Sequence, residues 1–171
     1  SILADTELAH QSGVAFPMSI AFMKEPDGDV FDDIADRPLS PHRNLVTPEG
    51  LAQIEAEIEH HHALAAQAQE VGDRSALARA QRDLRYWQAR RASAELVPTM
   101  DDKSKVHFGS RVTIRYEDGR EKQFRIVGED EADPVKGTIS YVSPMGRALT
   151  SRVVGDAVEV GHAEIQIMRI D

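Results

Sequence analysis

Four groups of side chains carry enough chemistry to be weighed first. Asp130, Glu131 and Asp133 crowd the stretch Gly128-Glu129-Asp130-Glu131-Ala132-Asp133-Pro134, and as free carboxylates they are candidate oxygen ligands for a hard cation, against the plainer reading of a solvated loop. His60-His61-His62 invites a metal reading, but consecutive helical side chains point about 100° apart and cannot close on one ion. Ser143, in Ser143-Pro144-Met145-Gly146-Arg147, has no histidine or acid spaced to activate it as a nucleophile. Serine before proline is foremost a helix cap. Arg79, Arg82, Arg85 and Arg90 fall on one helix face with Tyr86 among them. That strip suits RNA or an acidic wall, and suits plain solvent as well. No catalytic residue, metal set or cofactor site is expected.

The elements that position these groups can be read from periodicity. Thr47-Pro48-Glu49 predicts a helix start, with Thr47 as cap, Pro48 at the first helical position and Glu49 at the positive end of the dipole. Leu51, Ile54, Ile58, His61, Ala65 and Ala68 then recur at gaps of three and four. After Val71-Gly72-Asp73 a second helix is predicted over about 75–96, with Leu77, Ala80, Leu84, Trp87, Arg91 and Ala94 at the same gaps. The two make an antiparallel hairpin whose pairing sets Arg91 near Glu55 and Trp87 on the packing stripe. Beyond residues 98–105, read as a linker, the period becomes alternating. Strands are predicted over 111–116, 122–127, 139–142, 157–160 and 164–170, a hairpin turn at Asp118-Gly119, and a short helix over 144–150. The expected fold class is α+β: an N-terminal helical hairpin over 47–97, then a small antiparallel sheet with one short helix over 106–171.

Several separated blocks carry a resemblance. They are Gly128 to Pro134, Ile139-Ser140, Ser143-Pro144-Met145-Gly146-Arg147-Ala148-Leu149 and Val154-Gly155-Asp156-Ala157-Val158-Glu159-Val160. In that order and at those gaps they closely resemble the C-terminal domain of the GreA/GreB family, bacterial factors that insert a helical hairpin into the secondary channel of RNA polymerase. The resemblance runs from about Val106 to Asp171. It implies an FKBP-like fold there, contacts from Ser143, Pro144, Met145, Gly146 and Arg147 to the rim of the channel, and a place for Asp130, Glu131 and Asp133 beside the polymerase-facing surface. It also implies a hairpin turn whose acids help hold a weakly bound catalytic Mg²⁺ in the polymerase. Here the turn reads Gly72-Asp73-Arg74-Ser75-Ala76-Leu77-Ala78-Arg79. Gly72 and Asp73 match and Ser75 and Ala78 fit, but Ala76 and Arg79 stand where the family has acids, and Glu70 lies across the turn. The arms also look shorter than in cleavage-competent members, as in the relative Rnk, which binds polymerase without the cleavage function.

Composition bounds these readings. The net charge of −9 is concentrated at the start: residues 1–47 carry eight acids and three bases. A globally acidic chain is repelled by phosphate backbones, so RNA or DNA should be met only through a partner. The chain has no cysteine, hence no disulfide framework and no thiol nucleophile. No run of apolar residues is long enough to span a membrane, and cytoplasm is the default. Residues 1–46 read as an acidic, proline-containing extension, with Asp27, Asp29, Asp32, Asp33 and Asp36 in its second half and Met18 as a plausible native start.

The expected function is that of a monomeric, non-enzymatic factor that binds the secondary-channel rim and modulates elongation without stimulating transcript cleavage. The alternatives are an active cleavage factor, an FKBP-like prolyl isomerase drawing on Phe108, Tyr116, Phe124 and Tyr141, and a coiled-coil adaptor.

Overall fold

The computed structural model describes residues 34–171. The readings that fall on residues 1–33, including Met18 as a start and most of the acidic run, lie outside the described residues. The fold is α+β. In chain order it has β1 (Asn44–Val46), α1 (Pro48–Val71), α2 (Arg74–Ser93), β2 (Ala94–Leu96), β3 (Arg111–Tyr116), β4 (Glu121–Val127), a 3-10 turn (Pro134–Lys136), β5 (Thr138–Ser140), α3 (Pro144–Leu149), β6 (Ala157–Val160) and β7 (Ala163–Ile170). Residues 38–60 and 84–171 form one compact unit, and residues 34–37 and 61–83 another. No helix among the described residues is long and apolar enough to cross a membrane.

In the larger unit a five-stranded sheet runs in the order β5-β4-β3-β7-β6. Alternation along β3 and β4 sends Val112, Ile114, Phe124 and Ile126 inward to meet Ile165 and Ile167 of β7 and Leu149 of α3. On β7 strict alternation would bury Arg169 and expose Ile170. A register shift opposite Thr113/Ile114 leaves Met168 unpaired, so Ile170 faces Val112 in the core and Arg169 faces outward.

Two expectations are corrected. The sheet is mixed: β5 pairs parallel to β4, because the crossover over 128–137, with its 3-10 turn and Gly137 at φ +86°, returns the chain in the direction of β4. The second helix stops at Ser93, and Ala94–Leu96 instead pairs in parallel with Asn44–Val46, a strand the sequence reading had placed in the extension. The cause is Asn44. Its buried carboxamide donates to the Arg90 carbonyl at 2.8 Å, the acceptor that the Ala94 N–H would use if the helix continued, and to Ser93 Oγ at 3.2 Å. Beside this pair Val46, Ile54 and Trp87 form a second apolar cluster, joined by Leu51, Ile58, Tyr86 and Ala94. The expected Arg91–Glu55 pair is present at 3.0 Å, on an exposed surface.

In the smaller unit the hairpin turn is closed by backbone hydrogen bonds. Asp73 N donates to the Ala68 carbonyl at 2.9 Å and Gly72 N to the Gln69 carbonyl at 3.2 Å, the pattern of a helix end that needs a left-handed residue; Gly72 supplies it at φ +75°.

Candidate functional site

The acidic loop is where sequence and structure differ most. Asp130 Oδ1 accepts from Tyr86 Oη at 2.6 Å, and Oδ2 accepts from Arg90 Nε at 2.7 Å. Arg90 Nη2 donates to Asn44 Oδ1 at 2.7 Å, and only 3% of Arg90 is exposed. A buried guanidinium needs this set of acceptors, since an isolated charge in a dry site is expensive. Arg90 is therefore not part of a solvated basic strip, and Asp130 is not a free carboxylate.

Glu131 is committed as well. Thr47 caps α1, its Oγ1 accepting from Gly50 N at 2.9 Å, while Glu131 accepts from Thr47 Oγ1 at 2.6 Å and from Thr47 N at 3.1 Å. In an ordinary capping box the glutamate that reaches back to the cap stands in the first turn of the same helix. Here that position is Gly50, and the carboxylate comes from residue 131. A Cβ at Gly50 would lie 2.1 Å from Glu131 Oε2, so the glycine is what admits the remote acid. Gly50→Ala, which helix propensity alone would favour by about 1 kcal/mol, is expected to lower stability instead; a raised thermal midpoint would contradict this account of Gly50.

Asp133 precedes the 3-10 turn with its carboxylate half exposed, 4.0 Å from Lys136 Nζ. Glu129 accepts from Ser40 Oγ at 2.9 Å. Asp130 and, at 4.0 Å, Glu129 face Arg90, while Glu131 and Asp133 serve other partners, so the four carboxylates do not converge on one point. Among the described residues no group of three or more histidines and acids is placed to hold a metal.

The Ser143–Arg147 turn is presented outward on a rigid base. Ser143 Oγ accepts from Gly146 N at 3.0 Å and donates to the Ser140 carbonyl at 2.7 Å, and Pro144 opens α3. Gly146 is buried against the backbone: a Cβ there would fall 2.2 Å from the Ser140 carbonyl oxygen. Met145 packs partly against the sheet core, which leaves Pro144 and Arg147 as the exposed side chains of the turn.

At the hairpin turn, Asp73 Oδ1 accepts from Ala76 N at 3.0 Å, so this carboxylate caps α2. Glu70 and Arg74 are exposed, Ser75 accepts from the Arg79 guanidinium, and Arg79 itself is exposed. Arg82 pairs with Asp83 at 3.1 Å. Arg85 is exposed on the same helix. Of the four arginines grouped by sequence, Arg79 and Arg85 are exposed, Arg82 is half-buried and Arg90 is buried.

Phe108, Tyr116, Phe124 and Tyr141 are not gathered in one place. Phe124 lies in the core, Tyr116 lies under Arg120 at 5.0 Å, and Phe108 meets Tyr141 edge to face at 5.4 Å. Tyr141 donates its hydroxyl to the Arg43 carbonyl. The cavity of about 360 Å³ beside Phe108 is lined largely by polar groups, among them Asp102, Lys103 and His107.

Sequence reasoning missed Asn44, Gly50 and the Thr47–Glu131 and Arg90–Asp130 pairs. Only Thr47-Pro48 carried a local signal, and it pointed to the cap without its second partner.

Residues 101–170 match the family model described as "Transcription elongation factor, GreA/GreB, C-term". A transcription elongation factor GreA of Sphingopyxis alaskensis is 46% identical over 63 residues, 37% of this chain and 40% of that protein. One of Magnetococcus marinus is 44% identical over 71 residues, 40% of this chain and 45% of its own length. The chain thus spans less than half the length of these relatives. The GreA of Chloroflexus aggregans is matched more fully, 33% identical over 147 residues, which is 73% of this chain and 92% of that protein. Among solved structures, GreA factor homolog 1 of Thermus thermophilus aligns with 76% of this chain and 99% of its own, at 21% identity and a TM-score of 0.38.

Proposed function

This chain belongs to the GreA/GreB family of transcription elongation factors, and on that premise we propose that it binds bacterial RNA polymerase and modulates elongation from the secondary channel without stimulating transcript cleavage. In this reading residues 106–171 dock at the channel rim and residues 47–97 supply the inserted hairpin. The partner is protein; nucleic acid is approached only through it, as a net charge of −9 favours.

One observation carries the docking half: Pro144 and Arg147 are exposed on a turn whose backbone is fixed by the Ser143 cap and the Gly146 contact. A small apolar and cationic pair on a rigid turn is ready to bind with little ordering cost. Replacing Pro144 by Ser together with Arg147 by Glu is expected to weaken polymerase binding at least about tenfold, or about 1.4 kcal/mol. Met145 is left alone because it packs on the core. Unchanged affinity in a folded double variant would remove the docking surface from this turn.

The chemistry of the hairpin turn supports the other half. Asp73 already serves as a helix cap, Ala76 offers no ligand, and Arg79 places a cation where an acid would assist a metal ion. Like charges within about 4–6 Å penalise each other even when partly screened. A backtracked polymerase complex with labelled RNA, incubated with this protein and Mg²⁺, is expected to release short 3′ fragments only at its intrinsic rate. Faster release that Asp73→Asn abolishes would restore the cleavage-factor reading. Competition with an authentic cleavage factor at saturating concentration is the positive counterpart of the same experiment.

A further inference from the structure

Between α1 and α2, within the stretch 61–83, lies a groove of about 390 Å³ that the hairpin's own side chains do not fill. Its floor is Ala68, Ala76 and Ala80, and its walls include Leu64 and Val71, which are 40% and 69% exposed. Alanines along a two-helix seam let the backbones approach but leave volume unoccupied, and large apolar side chains standing open beside such a hollow mark a place for something to be buried.

We propose that the groove is a docking site for this chain's own residues 14–23. Three observations point to that occupant. The described chain begins beside the groove: the Arg37 guanidinium is 3.5 Å from Asp83, and Asp83 lines the groove and faces His61 at 3.7 Å. The reach is sufficient, because residues 24–33 extend up to about 33 Å at about 3.3 Å per residue, whereas the groove from His61 to Val71 is only about 15 Å long at about 1.5 Å per residue. The chemistry matches in two parts. Val14-Ala15-Phe16-Pro17-Met18-Ser19-Ile20-Ala21-Phe22-Met23 is the apolar stretch of the amino-terminal third, and Glu25, Asp27, Asp29, Asp32 and Asp33 follow it, opposite in sign to Arg74, Arg79 and Arg82 on α2.

The absence of cysteine makes the test clean, because a spin label at Ser19→Cys reports from one position only. In the full chain a tethered segment has an effective concentration in the millimolar range, so even a weak contact is mostly formed. Amide signals of Leu64, Ala68, Val71 and Ala76 are then expected to lose at least about half their intensity on labelling. Those of Val135 and Val153, exposed apolar residues of the sheet unit, serve as controls for indiscriminate sticking and should be unaffected. Leu64→Glu with Val71→Glu, at positions already open to solvent, should restore the signals of Ala68 and Ala76. Absence of selective broadening overturns the proposal, as does equal broadening at Val135 and Val153. Broadening that appears when label and isotope sit on different molecules overturns it in favour of a second copy. None of these readouts involves polymerase, so their outcome is separate from that of the proposed function.

Discussion

Asp130→Ala is expected to cost about 3–5 kcal/mol of stability, the usual consequence of removing one partner from a buried ion pair. The side chains of Arg90 and Asp130 are 3% and 8% exposed, and the variant would leave the guanidinium with the Asn44 carboxamide and a distant Glu129 carboxylate at 4.0 Å. Tyr86 would lose its acceptor in the same step. Against a total of about 5–15 kcal/mol for a typical domain, that loss approaches global unfolding. Urea denaturation monitored by circular dichroism measures it directly. A loss below about 1 kcal/mol, the range of exposed pairs, would mean that water already reaches the site. Replacing both members, Arg90→Met with Asp130→Leu, is expected to recover much of the loss, because an apolar pair carries no desolvation penalty.

Trp87→Ala is expected to cost a similar amount, about 3–5 kcal/mol, by a different route. Trp87 is 7% exposed, packs with Val46 and Ile54, and meets the Tyr86 ring edge to face at 5.1 Å and 86°. Truncation removes apolar area from both the helical pair and the strand pair at its base, and opens a cavity that rigid neighbours cannot close. Trp87 is the chain's one tryptophan, so native fluorescence reports on this position alone. Blue-shifted emission shielded from quenchers is expected; red-shifted, readily quenched emission would show that the ring is not in the cluster. Trp87→Phe should cost distinctly less than the alanine variant, since most of the volume remains.

The sheet strands were legible because each carries its own signal. In β3 and β4 apolar residues alternate with polar ones at Val112 and Ile114 and at Phe124 and Ile126, and Asp118-Gly119 marks the turn between them. The first helix was legible from Thr47-Pro48. What the sequence did not disclose depends on partners far along the chain. Arg90 looks like one more arginine on a helical wheel, and nothing near it reveals that Asn44, 46 positions earlier, and Asp130, 40 positions later, enclose it. Glu131 looks like a loop acid, because its partner Thr47 lies 84 positions away. β1 and β2 have three residues each, too short for periodicity to register. The bulge at Met168 is invisible in a strand that otherwise alternates, although the spacing of Ile165, Ile167 and Ile170 is its trace.

The remote cap on α1 also bears on the order in which the protein is made. Domains ordinarily fold from the amino terminus as the chain emerges from the ribosome, and a helical hairpin with a Gly-Asp turn has only local contacts to form. Its entrance is different: Thr47 acquires its second hydrogen-bonding partner only after residue 131 has been synthesised, and Arg90 only then gains a counter-charge. A nascent chain that stops short of the acidic loop therefore carries a hairpin whose turn end is complete and whose entrance is frayed. Vectorial synthesis leaves the base as the last part of the hairpin to set.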